Sequence, residues 1–291
     1  MKVYSECLPC FLKRVRYEIR LVTKDDELAK RILRECSRII ACEKDTCVNS
    51  AELSTRVHRV TYDMLGNDDP YRDIKNSSNE VALKLYPRAE RFVSKSNDRF
   101  GAACIVSIVG NIFDYGITDF RDPKMMYRMF DSLCADGLGR DDTPRIKKIL
   151  SKSRNVLFFT DNCGEVIFDR LLLREIKKYG VRLTLIAKGV PILSDATVGD
   201  IRRLGIDKLV DRVVGTESFA VGVDLENMSP GFRKMIKEAD IIICKGMANY
   251  EAFSDHHGEF APIAYLMRTK CASVADSAGV PEDKNIALLI R

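Results

Sequence analysis

The sequence predicts an α/β fold: a Rossmann-like, mainly parallel sheet with helices on both faces, preceded by an all-helical N-terminal domain. Three observations carry this expectation. Before residue 154, apolar residues recur every three to four positions, the period of a helix with one buried face. Beyond it, short apolar runs alternate with helical stretches, as in βαβ units. The unusual polar clusters of the second half each follow such a run, and in a parallel sheet those ends share one rim.

In chain order, Leu8, Phe11, Leu12, Val15 and Ile19 line one helical face, and Leu28, Ile32, Leu33, Cys36, Ile39 and Ile40 line a second. Ser50 is placed to cap a third helix carrying Leu53, Val57, Val60 and Met64, because a serine oxygen accepts from the unbonded amides of a first turn. The run from Gly66 to Pro70 signals a loop. Helical segments follow at about 77–97, 99–110, 122–135 and 142–153, with Pro87 expected to kink or divide the first. Strands are expected at 155–160, 182–187, 209–214, 240–244, 263–267 and 285–290, with helices at about 165–179, 196–204 and 229–238 between them. The expected division is a helical cap over 1–98 and an α/β domain over 99–291.

A chain of 291 residues can hold one large domain or two ordinary ones. Its net charge of +5 suits small anionic ligands but is too weak and dispersed to signal nucleic-acid binding. No apolar run approaches the roughly 18–20 residues of a membrane span. The opening MKVYSECLPC lacks the apolar core of a secretory signal. A cytoplasmic protein, with neither membrane nor nucleic acid as partner, is the expectation. Five of the ten cysteines (Cys7, Cys10, Cys36, Cys42 and Cys47) lie in the first 47 residues. Reduced thiols are the default for that compartment. The Cys7-x-x-Cys10 pair, with Cys42 and Cys47, leaves a zinc site or disulfides open.

The richest segment runs from Asn155 to Glu165. A buried strand ends there in Asp161, Asn162, Gly164 and Glu165. Asp161 and Asn162 offer oxygens to a hard cation, and Asp195, after the second strand, offers another. Lys188, Lys245, Arg268 and Lys270 bring positive charge to neighbouring strand ends, while Gly189 and Gly246 allow close backbone approach. A divalent cation with Lys and Arg is the equipment for holding a phosphoryl group and neutralising its charge during transfer. No G-x-x-x-x-G-K-[ST] occurs, and no G-x-G-x-x-G follows a strand, so neither a P-loop nor a dinucleotide site is supported. Gly110 and Asn111 follow an apolar helix; Asn111 and Asp114 either end it or close over the rim. His58 is expected on a helix surface, and His256-His257 in a polar loop.

Together these motifs resemble the damage-control phosphatase family, formerly a domain of unknown function. The resemblance rests on Cys7-Leu-Pro-Cys10, Gly110-Asn111 with Asp114, Asp161 to Glu165, Lys188 to Thr197, Lys245 to Glu251, and Leu266 to Lys270. The N-terminal C-x-x-C is similar to the stand-alone archaeal and bacterial branch. The resemblance implies a metal-dependent phosphatase that hydrolyses phosphate monoesters of small metabolites, sugar phosphates or related damaged compounds, with Mn²⁺, Co²⁺, Ni²⁺ or Mg²⁺. It implies that Asp161, Asn162 and Asp195 hold the metal and form the catalytic set. It also implies that Glu165, the Lys245–Asn249 loop and Lys270 contact the substrate. Lys270 follows Thr269 directly, where other branches carry Arg-Thr-x-Lys. Attack by water and attack by Asp161 itself both remain open. The alternatives are an S-adenosylmethionine-dependent carboxyl methyltransferase, disfavoured by the missing glycine-rich loop, and a non-catalytic metal or metabolite binder.

Overall fold

The computed structural model describes the chain except residues 44–48 and 114–122 and the side chains of 43, 112, 113 and 123–126. Cys47 and Asp114 therefore lie outside the described residues. Helices α1 (Cys7–Val22), α2 (Asp26–Glu43) and α3 (Ser50–Leu65) pack around Phe11, Val15, Ile19, Ile32, Cys36, Leu53 and Val57. The cap of α3 is Asn49, whose side chain accepts from the Glu52 amide. Ser50, expected in that role, instead donates its hydroxyl to Glu251 Oε2 at 2.7 Å.

Helix α4 (Arg72–Lys95) runs unbroken through Pro87, so the proline does not divide it. Its Leu85, Ala89 and Val93 are buried in the same cluster as α5 (Arg99–Val109) and α8 (Glu165–Lys177). That packing offsets the backbone hydrogen bond that proline forgoes. Residues 110–113 form a 3-10 turn, followed by α6 (Pro123–Ala135).

The sheet contains β1 (Arg140–Asp141), β2 (Asn155–Phe159), β3 (Arg182–Ala187), β4 (Arg212–Gly215), β5 (Ile241–Lys245), β6 (Ile263–Arg268) and β7 (Asn285–Ile290). Their order is β1-β7-β6-β5-β2-β3-β4, and every neighbouring pair is parallel except β6 with β7. Along β2, Val156 and Phe158 face one buried cluster while Leu157 and Phe159 face the other. Both faces are thus covered, as the uninterrupted apolar run requires. Helices α5 and α8 supply one cover; α10 (Pro230–Lys237), α11 (Gly246–Phe253) and α12 (Ala272–Ala278) supply the second. The remaining helices are α7 (Thr143–Leu150) and α9 (Val198–Arg203).

Strand β4 begins at Arg212 rather than 209, because Ile206 to Leu209 wind into a 3-10 turn. Helices α11 and α12, of 8 and 7 residues, and the two-residue β1 are too short to leave a periodic signal in the sequence. Among the described residues no helix is long and apolar enough to cross a membrane.

Candidate active site

The carboxyl ends of β2 and β3 meet through backbone bonds that fix the floor of a cleft. The Ala196 amide donates to the Asp161 carbonyl at 2.8 Å, and the Cys163 amide donates to the Ser194 carbonyl at 2.8 Å. Asn162 and Asp195 thereby sit opposite each other in an isolated antiparallel bridge. The cleft encloses about 360 Å³, and Asp161, Asn162, Asp195, Asn111 and Lys270 all line it. Five residues from four separate stretches of sequence therefore converge on one cavity.

Asn111 Nδ2 and Asn162 Nδ2 donate to Asp161 Oδ2 at 2.6 and 2.8 Å. Oδ1 accepts nothing from the described residues. Burial, with Glu165 and Asp195 close by, pushes the Asp161 carboxyl well above its ordinary value. Ser194 Oγ donates to Asn162 Oδ1 at 2.7 Å, which sets the amide's orientation. Behind Asp195 stands Lys188, 3.3 Å away, itself held by the carbonyls of Ala220 and Gly222. Lys270 Nζ donates to the Asn111 carbonyl at 2.7 Å at the edge of the same cleft.

Gly246 serves this floor by what it lacks. Its φ is +74°, and a Cβ there would stand 1.9 Å from Asp161 Oδ2. Only glycine tolerates both the backbone conformation and the carboxylate.

Several expected contacts lie one layer deeper. Lys245 is fully buried and does not line the cleft. Its ammonium bonds to Glu165 Oε1, lies 3.2 Å from Asp169 Oδ1 and donates to the Ser107 carbonyl at 3.0 Å. Burial disfavours its charge, but Asp169 and Glu165 outweigh that and push its pKa up. Asp169 is pushed up to about 6, because burial and the nearby Glu165 exceed the pull of Lys245. Glu165 also accepts from Asn111 Nδ2, so this ion cluster reaches Asp161 through one amide. Asn249 ties α11 to β2, donating to the carbonyls of Thr160 and Lys245 at 3.0 and 2.8 Å. Arg268 is not brought to the cleft; it turns to Asp283, just before β7, and to Asn285 at its start, which receive it at 2.9 and 3.0 Å.

The opposite wall comes from the helical cap. His58 is not a surface residue: it is 1% exposed, lines the cleft, and pairs through Nδ1 with Glu18 Oε2 at 2.9 Å. Helix α3 is buried on two sides, by α1 and α2 and by the loops of the rim, so a histidine beside the apolar stripe is still enclosed. The Tyr62 hydroxyl accepts from the Leu193 amide at 2.9 Å, and Thr55 Oγ1 accepts from the Val221 amide at 2.9 Å. Arg59 donates to the Phe219 carbonyl and stacks 4.9 Å from its ring. Cys7 and Cys10 are free thiols on the same wall, and Cys42 is free and exposed. His256 and His257 do not line the cleft; His257 pairs with the Tyr265 hydroxyl at 2.8 Å. Among the described residues no three His, Cys, Asp or Glu side chains gather as a metal site, so the floor's oxygen donors are two carboxylates and an amide.

Sequence reasoning missed Ser194, Ser107, Asp169 and Tyr62. Ser194 adjoins Asp195, and Asp169 lies one helical turn beyond Glu165, a spacing that marks a shared helix face. Nothing local marks Tyr62.

Comparison with known proteins identifies the family. The damage-control phosphatase ARMT1-like domain model matches residues 3–286. A damage-control phosphatase of Archaeoglobus fulgidus is 40% identical over 291 residues, all of both chains. One from Pyrococcus horikoshii is 31% identical over 283 residues, 97% of this chain and 96% of that one. The crystal structure of a DUF89 family protein from Pyrococcus horikoshii has a TM-score of 0.90 at 29% identity, with both chains fully covered. By sequence over nearly its whole length and by fold, the chain belongs to the damage-control phosphatase ARMT1-like family.

Proposed function

We propose that the protein is a divalent-metal-dependent phosphatase hydrolysing phosphate monoesters of small metabolites, sugar phosphates among them. The observation that carries this is the convergence of Asp161, Asn162 and Asp195 on one cleft floor with Lys270 beside them. The donors fit an oxygen-seeking cation. Two carboxylates and an oriented amide oxygen form a hard ligand set, and crowded, desolvated negative charge raises the Asp161 pKa. When bound, such a cation polarises a phosphate oxygen and offsets charge in the transition state.

The chain's own groups divide the remaining work. Asn111 and Asn162 fix Asp161 through Oδ2 and so present Oδ1 to the cleft. Oδ1 is the atom placed either to attack phosphorus or to take the proton of an attacking water. Lys270 supplies positive charge for the non-bridging oxygens of the phosphate. Lys188 holds Asp195, and the Glu165–Lys245–Asp169 cluster holds Asn111 and the base of the floor. Lys245 and Glu165 thus act by positioning rather than by contact.

The test is release of inorganic phosphate from phenyl phosphate and from glucose 6-phosphate with Mn²⁺, Co²⁺, Ni²⁺ or Mg²⁺, against a chelator control. Release that requires metal and vanishes in Asp161→Ala supports the proposal. No release with any of the four metals, or full activity in Asp161→Ala, overturns it.

A further inference from the structure

We propose that His58, oriented by Glu18, reads a hydroxyl on the organic part of the substrate, which makes the cleft select polyol and sugar phosphates over esters without hydroxyls. The assignment rests on the phosphatase function above only for the phosphate-binding floor. Its own basis is a buried polar pair in a helical cap. The side chains of His58 and Glu18 are 2% and 0% exposed. Burying an imidazole and a carboxylate costs free energy that an apolar pair would not, and one hydrogen bond between them offsets only part of it.

The pairing orients the ring. Nδ1 lies 2.9 Å from Glu18 Oε2, which fixes the ring and leaves Nε2 as its second hydrogen-bonding atom, able to pair with a substrate hydroxyl that both donates and accepts. Here Nε2 bonds to none of the described residues, and His58 lines the cleft that Asp161, Asn162 and Asp195 floor.

The surroundings sharpen the selection. Phe11, Leu193 and Val221 make part of the cleft lining apolar, while Ser54, Arg14 and Glu251 add polar groups to it. A substrate hydroxyl that leaves water for this wall meets a hydrogen-bonding partner at Nε2, whereas an aryl group gains only apolar contact. A cleft of about 360 Å³ is of a size for one small metabolite.

The test compares glucose 6-phosphate with phenyl phosphate, with Mn²⁺, in wild type, His58→Leu and His58→Gln. In His58→Leu the ratio of kcat/KM for glucose 6-phosphate over phenyl phosphate falls about tenfold, chiefly through KM for the sugar phosphate, as loss of one hydrogen bond predicts. His58→Gln, whose amide also pairs with a hydroxyl, keeps the ratio within about threefold of wild type. Equal losses on both substrates in His58→Leu, or a glutamine variant no better than leucine, overturns the assignment. If wild type releases phosphate from neither ester, the phosphatase reading has failed, and the ring decides this proposal by itself. In histidine-labelled wild type, glucose 6-phosphate shifts the His58 Nε2 resonance; an unmoved Nε2 signal overturns it.

Discussion

The floor of the cleft and its cap wall are built by opposite means. On the floor, main-chain bonds between strand ends hold Asp161, Asn162 and Asp195 in place. On the wall, side chains of α3 reach across to donors and acceptors on the rim loops. Backbone positioning is stiff and depends on local residues, so single atoms matter on the floor. Side-chain positioning is distributed over several contacts, so each counts for less on the wall.

That contrast gives an order of effects. Asp161→Ala removes the carboxylate proposed to hold the metal and act at phosphorus, and phosphate release falls about a thousandfold or more in steady-state assays. Gly246→Ala comes next. The added methyl must displace the Asp161 carboxylate, and activity falls about a hundredfold while far-UV circular dichroism stays native. A Gly246→Ala enzyme with wild-type kcat would show that the floor is soft and erase the contrast. Lys245→Met breaks the buried cluster and leaves Glu165 and Asp169 uncompensated, a cost of about 3–5 kcal/mol in urea unfolding. Adding Glu165→Gln and Asp169→Asn to that variant recovers part of the loss, because the unpaired charges go with the lysine.

The smaller effects lie at the wall and in the protons. Tyr62→Phe deletes one acceptor for the Leu193 amide, two residues from Asp195, and weakens Mn²⁺ binding about fivefold by calorimetry, equivalent to about 1 kcal/mol. A loss as large as that of Gly246→Ala would mean that the wall sets the floor's geometry. Asp169 supplies the pH dependence. Its folded pKa, up to about 6 from 3.8, means that the folded state binds the extra proton between those values. Its contribution to stability is therefore present below pH 3.8 and lost as pH rises through about 6. Asp169→Asn flattens that part of the wild-type stability curve, read by thermal melting across the same range.

How much of this was legible depended on what set each residue's place. Strands β3 and β7 match the expected 182–187 and 285–290, because a doubly covered strand must be apolar throughout. Asp161, Asn162 and Asp195 were legible because a parallel sheet delivers its strand ends to one rim. Lys245 and Arg268 followed the same rule to the correct strands, but the rule does not say into which layer a side chain points. Lys245 faces the helix α8 acids, and Arg268 faces β7. His58 was illegible for a different reason. Val57 and Leu53 mark one apolar face of α3, but Ser54, His58, Thr61 and Tyr62 are buried too. A helix enclosed on two sides carries polar groups inward to meet partners far away in sequence. Here they lie up to 201 positions distant.

The same long separations set the order in which the molecule is completed. Leu193 and Tyr62 are 131 residues apart, Phe219 and Arg59 are 160 apart, and Val221 and Thr55 are 166 apart. During synthesis α3 exists long before the loops it fastens, and contacts of such high sequence separation form late. The α3 wall of the cleft is then expected to close after the floor has formed. In pulse-labelled refolding, the Leu193 and Val221 amides should gain protection after those of β2 and β5.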